Sequence, residues 1–182
     1  MALATTIGAC KGAPPPASYR GAEAVQLAHR FVDADTGANY AVMDSLYAPK
    51  EDMPDCVIGF DAYTVITSAS VGEPHGRGDT IVVPLSFDVL GVASSEDSHQ
   101  VGSQNARFVA APSIERDSLV AGPDSAGRLR FSCWLQVVPN HMTAERMVAK
   151  MVPHLDSVSL AAWNSVNTQR PNKRLKLPGA HK

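Results

Sequence analysis

Proton-transfer chemistry on a small molecule needs a carboxylate base and a phenol or protonated carboxyl donor facing one pocket. This chain of 182 residues offers a short list of such groups. Tyr40, Asp44 and Tyr47 fall within one short stretch, and Asp88 and Glu115 lie in or near strand-like segments. Trp134 completes the candidate pocket as a large apolar wall. Each has a plainer reading. Tyr40 and Tyr47 also suit core aromatics with a solvated hydroxyl. Asp88 alternates with Phe87 and Val89, which turns it to solvent if those two are buried.

Other chemistries find little support. The six histidines, His29, His75, His99, His141, His154 and His181, are scattered and form no His-x-x-x-His pair. Cys10, Cys56 and Cys133 show no C-x-x-C spacing, so neither a metal nor another cofactor is expected. No Gly-x-Ser-x-Gly elbow and no glycine-rich phosphate loop after a strand is present. Arg77-Gly78-Asp79 reads as turn chemistry. A net charge of −2 argues against a general nucleic-acid binder, and the basic stretch from Arg170 to Lys182 reads as a solvated tail.

The elements that must position these groups follow from periodicity. Ala24, Leu27, Ala28 and Phe31 recur at helical spacing, predicting a helix over 21–35 that Thr36-Gly37 ends. A second helix is expected over 38–48, stopped by Pro49. Strands are expected over 64–71 and 80–92, where Val83, Leu85, Phe87 and Val89 alternate with Pro84, Ser86 and Asp88. Residues 72–79 read as a turn and 94–105 as a loop. Two apolar patches flank Pro112, a hairpin loop spans 122–127, and a last strand spans 128–138. Pro139-Asn140-His141-Met142 reads as a connector, and Thr143 as the cap of a helix over 144–152. A further short helix over 155–163 is expected.

Composition bounds the whole at one folded domain plus tails, with 45% hydrophobic and 19% charged residues. The expected division is 1–20 as a signal remnant and tether, 21–165 as one α+β domain, and 166–182 as a basic tail. No stretch reaches the 18 or more apolar residues of a membrane span.

Two resemblances add to this. Two opening helices ending in Leu46-Tyr47-Ala48-Pro49 precede the long strand Ile81–Gly91. The hairpin Asp124–Gly127 then leads into Arg128-Leu129-Arg130-Phe131. This pattern, over about 20–140, resembles the nuclear-transport-factor-2-like superfamily, which includes SnoaL-like proteins. The resemblance implies a cystatin-like cone, with the N-terminal helices packed in a curved antiparallel sheet and a C-terminal helix beyond it. It implies an apolar pocket at the wide end of the cone, a small apolar ligand, and a homodimer formed through the sheet. The expected function is a non-catalytic, envelope-associated module that binds a small apolar ligand or a protein partner; the alternative is an enzyme of isomerase or cyclase type.

The second resemblance concerns Ile7-Gly8-Ala9-Cys10, followed by the proline tether Pro14-Pro15-Pro16. It is similar to the lipobox of a bacterial lipoprotein, which implies lipid attachment at Cys10 and a membrane-anchored place in the cell envelope. Met1 to Ala9 carries no Lys or Arg, so only the back end of a signal is matched. A start codon further upstream would complete it; otherwise the chain is expected in the cytoplasm. With Cys10 acylated, Cys56 and Cys133 remain either as a disulfide pair or as two buried thiols.

Overall fold

The computed structural model describes residues 17–48, 62–77, 79–95, 106–132 and 140–168. The fold is α+β: a curled half-barrel sheet with four helices. Helix α1 is Ala17–Thr36 and α2 is Tyr40–Leu46. The strands are β1 (Ala62–Val71), β2 (His75–Arg77), β3 (Thr80–Ser94), β4 (Arg107–Pro123), β5 (Leu129–Phe131) and β6 (His141–Thr143). Helix α3 is Ala144–Lys150, a 3-10 turn is Val152–His154, and α4 is Ser157–Thr168. The strand order is β5-β4-β3-β1-β6, with β2 pairing β3. All pairings are antiparallel except β1 with β6.

Several sequence expectations are revised. Helix α1 starts at Ala17, inside the segment assigned to the tether. The left-handed residue after it is Ala38, at φ 50°, one beyond Gly37. Asn39 then caps α2 by accepting a hydrogen bond from the Val42 amide. The expected turn over 72–79 contains the short strand β2. The two patches around Pro112 form one 17-residue strand. The connector at His141 is strand β6, because its backbone completes a ladder that the open side of β1 leaves available. Thr143 caps α3 as expected, accepting from the Arg146 amide.

The side chains form two buried clusters on opposite faces of the sheet. Ile81, Val83, Leu85, Phe87 and Val89 of β3 pack with Ala24, Leu27, Ala28 and Phe31 of α1. Leu119 and Ala121 of β4 join them. The second cluster takes Tyr63 and Val65 of β1, Leu90 and Ala93 of β3, and Phe108 of β4. It packs them against Met147 and Val148 of α3 and Trp163 of α4. Side chains alternate along a strand, so odd positions of β4 feed the first cluster and even positions the second. In β3 the register breaks between Val89 and Gly91, and this irregularity carries Ala93 to the opposite face from Val89. Helices α1 and α2 thus cover one face of the sheet, and α3 and α4 the other. Burying Phe31, Phe87 and Phe131 completely stabilises the first cluster by about 1.5–3 kcal/mol each.

Candidate active site

Strand β6 is the element that brings the two sides together. Met142 points into the cluster under α3 and α4, so its neighbour His141 points into the other, beneath α1. There it meets Asp35, the residue one turn beyond Phe31 on the buried stripe of α1. The carboxylate accepts two hydrogen bonds from the same residue. The His141 backbone amide lies 3.1 Å from Oδ1, and ring Nδ1 lies 2.7 Å from Oδ2. Both side chains are 1% exposed. With Asp35 ionised, its carboxylate only accepts hydrogen bonds, and the ring then presents Nδ1–H to it. The other face of the imidazole stacks on Phe87, with centroids 4.0 Å apart and planes 14° apart.

This arrangement fixes the ring and leaves one atom over. His141 Nε2 is buried and has no hydrogen-bond partner among the described residues. Tyr47 Oη is in the same condition. The Tyr47 ring is held edge-on between Phe31 and Phe131, with centroids 6.2 and 6.3 Å away. Burial pushes its phenol well above the ordinary value, and the Asp35 charge adds to the shift, so Oη lies within electrostatic reach of the pair. Burying a hydroxyl without a partner costs about 1–3 kcal/mol. Tyr47→Phe is therefore expected to stabilise the fold by about 1 kcal/mol, measured by chemical denaturation. A loss of more than 1 kcal/mol would mean that the hydroxyl is satisfied.

At the junction of α1 and α2, Tyr40 lies within electrostatic reach of Tyr63 of β1. Arg146 of α3 donates from Nη1 to the Thr36 carbonyl at 3.1 Å, placing a cation at the α1 C-terminus. The Tyr40 phenol is pushed from 10.0 to about 12, chiefly by burial and then by Tyr63. This has a consequence for alkaline stability. The unfolded chain loses this proton near pH 10, whereas the folded chain holds it until near pH 12. The Tyr40 contribution to stability is therefore expected to fall as pH rises from about 10 to about 12 and then to level off. Tyr40→Phe should flatten part of that slope in urea midpoints measured across the same range. Tyr47 contributes in the same direction, so a residual slope should remain.

The candidates named from sequence are distributed unevenly around this centre. Tyr40 and Tyr47 border it. Asp44 is exposed on α2. Asp88 faces away from Phe87 and accepts a hydrogen bond from Ser68 Oγ at 2.6 Å across β1 and β3. Glu115 pairs with Phe87 in the β3–β4 ladder and is partly buried, with no bond to the pair. Trp134 and Cys10 lie outside the described residues, as do Cys56 and Cys133. Asp35, His141, Tyr63 and Arg146 were not singled out by their spacing. Among the described residues, no three His, Cys, Asp or Glu side chains gather in a way that could hold a metal ion. No helix among them is long and apolar enough to cross a membrane.

No family model and no curated protein matches the chain. The chemistry of the site therefore rests on its own geometry. An imidazole whose Nδ1–H is held by a carboxylate has, in its neutral form, a basic lone pair at Nε2. A nearby phenol, kept protonated by burial, is a hydrogen-bond donor for an oxygen that gains negative charge. Together they are the parts of a proton-transfer site.

Proposed function

We propose that this chain is a small-molecule enzyme of isomerase or cyclase type, whose acid–base chemistry acts on an apolar carbonyl compound brought against the Asp35–His141 pair. The observation that carries the reading is the buried Asp35–His141 pair with Nε2 left unpartnered among the described residues. His141 Nε2 takes the proton from the carbon beside the carbonyl. Asp35, through Nδ1–H, holds the ring and stabilises the imidazolium that forms. Tyr47 donates its O–H to the carbonyl oxygen as that oxygen becomes an enolate. Returning the proton to a different carbon completes an isomerisation. The cone of the nuclear-transport-factor-2-like superfamily is the finer fold that this reading adopts. Its support is two N-terminal helices laid in a curled, mostly antiparallel sheet.

Deuterium exchange tests the reading. The protein is incubated in D₂O with a panel of enolisable cyclic ketones, and loss of the α-proton signal is followed by NMR. The wild type should accelerate exchange of at least one ketone by 100-fold or more over His141→Gln. Equal rates in the two proteins, or no acceleration of any ketone, would sink it. A ketone that binds without exchanging supports the non-catalytic alternative, in which the same two buried atoms only fix a small apolar ligand.

A further inference from the structure

A concave feature lies apart from the Asp35–His141 pair, at the end of the sheet where β4 meets β5. It is a groove of about 310 Å³ whose lining includes Ala48, Val120, Gly122, Pro123 and Arg130. The Phe131 ring is fully buried and meets Phe31 and Tyr47 edge-on in the interior. The volume is at the lower end of the range typical of small-ligand pockets. One wall is apolar, and the charged group beside it is a guanidinium.

Arg130 is held in place and shares its carboxylate counter-charge with a second arginine. Its Nη1 donates to the Ser45 carbonyl at 2.7 Å. Its Nε stands 3.8 Å from Asp124 Oδ2, beyond hydrogen-bonding distance. Asp124 is already engaged: it accepts from the Ala126 and Arg128 amides and from Arg128 Nε at 3.0 Å. Two arginines therefore share one carboxylate, and the nearer one holds it. The Arg130 guanidinium keeps further N–H donors in a planar fork whose geometry matches a carboxylate.

We propose that this groove binds a small organic carboxylate, with its apolar body against Ala48, Val120 and Pro123 and its carboxylate on Arg130. The site is independent of the chemistry assigned to His141. Gly122 supplies a clean way to close it. A Cβ built there meets nothing nearer than the Asp79 carbonyl at 3.9 Å, so a side chain at this strand position fills the groove without displacing the fold. Valine suits the extended backbone.

The test is an NMR titration with 2-naphthoate and its neutral isostere 2-naphthamide. The wild type should bind naphthoate at least tenfold more tightly than the amide, with the largest shifts at Val120, Gly122 and Phe131. Arg130→Gln should reduce that preference to within twofold, and Arg130→Lys should keep part of it. Gly122→Val should weaken both probes at least tenfold with an unchanged melting temperature. His141→Gln should leave naphthoate binding intact. Equal affinity for the two probes, absence of binding, or insensitivity to Gly122→Val would each overturn the proposal. Loss of naphthoate binding in His141→Gln would place the probe in the interior and overturn it as well. None of these outcomes bears on deuterium exchange, so the two readings fail separately.

Discussion

Asp35→Ala is expected to cost about 3–5 kcal/mol, enough to leave a domain of ordinary stability partly unfolded. The carboxylate accepts both the His141 amide and ring Nδ1–H in a place that is 1% exposed. Removing it leaves two buried donors without an acceptor, and no side chain on α1 can replace it. Neighbouring positions on its buried stripe are the apolar Ala28, Phe31 and Ala34. Asp35→Asn separates the structural role from the chemical one. Its carbonyl oxygen can still accept the His141 amide, and its NH₂ can donate to a ring nitrogen. The cost should fall to about 1–2 kcal/mol. The tautomer must then reverse: Nδ1 becomes the acceptor and the proton moves to Nε2. Nitrogen-15 shifts of the His141 ring report this directly. The asparagine variant should be folded, carry Nε2–H, and lose the deuterium exchange. A folded variant that keeps Nδ1–H would show that Asp35 does not set the tautomer.

That pair was only half legible in the sequence. Asp35 continues the stripe Ala24, Leu27, Ala28, Phe31 at helical spacing, four residues beyond Phe31. A carboxylate on a buried stripe needs a partner, since burying it alone is costly. Its place in the last turn of α1 adds to the signal, because the helix dipole disfavours an anion there. His141 carried no such mark. It sits in a three-residue strand that exists only because β1 has a free side, and local pattern does not register a partner 77 residues away in sequence. The longer elements were read well where periodicity is strong, as in α1 and β3. The long strand β4 was obscured by exposed positions from Val109 to Arg116, where neither face is covered enough to impose alternation. The swap of faces at Leu90 is likewise invisible to a period count, since Leu90 and Gly91 read as one more apolar pair.

Gly91→Ala should be nearly as damaging as Asp35→Ala, at about 3–5 kcal/mol, although it adds a single methyl group. A Cβ at this position would collide with the Val109 carbonyl oxygen and lie 2.8 Å from Phe108 Cζ and 3.1 Å from Ala110 Cα. The ring could turn away, but the backbone could not. Gly91 pairs with Ala110 and Val92 with Val109, so relieving the contact means opening the β3–β4 ladder. A double mutant tells the two apart. Phe108→Ala alone should cost about 3–5 kcal/mol through the cavity it leaves under Trp163. If the ring were the obstacle, the double mutant would cost less than the sum by well over 0.5 kcal/mol. With the backbone as the obstacle, the costs should add within about 0.5 kcal/mol. The effect should also reach the site. Gly91 marks the point where β3 changes face, and Phe87, four residues earlier, is the platform on which the His141 ring rests. Prying the strands apart there should broaden the His141 ring resonances even in the fraction that remains folded. Sharp, unshifted His141 signals in Gly91→Ala would mean that the strand irregularity and the buried pair are mechanically separate.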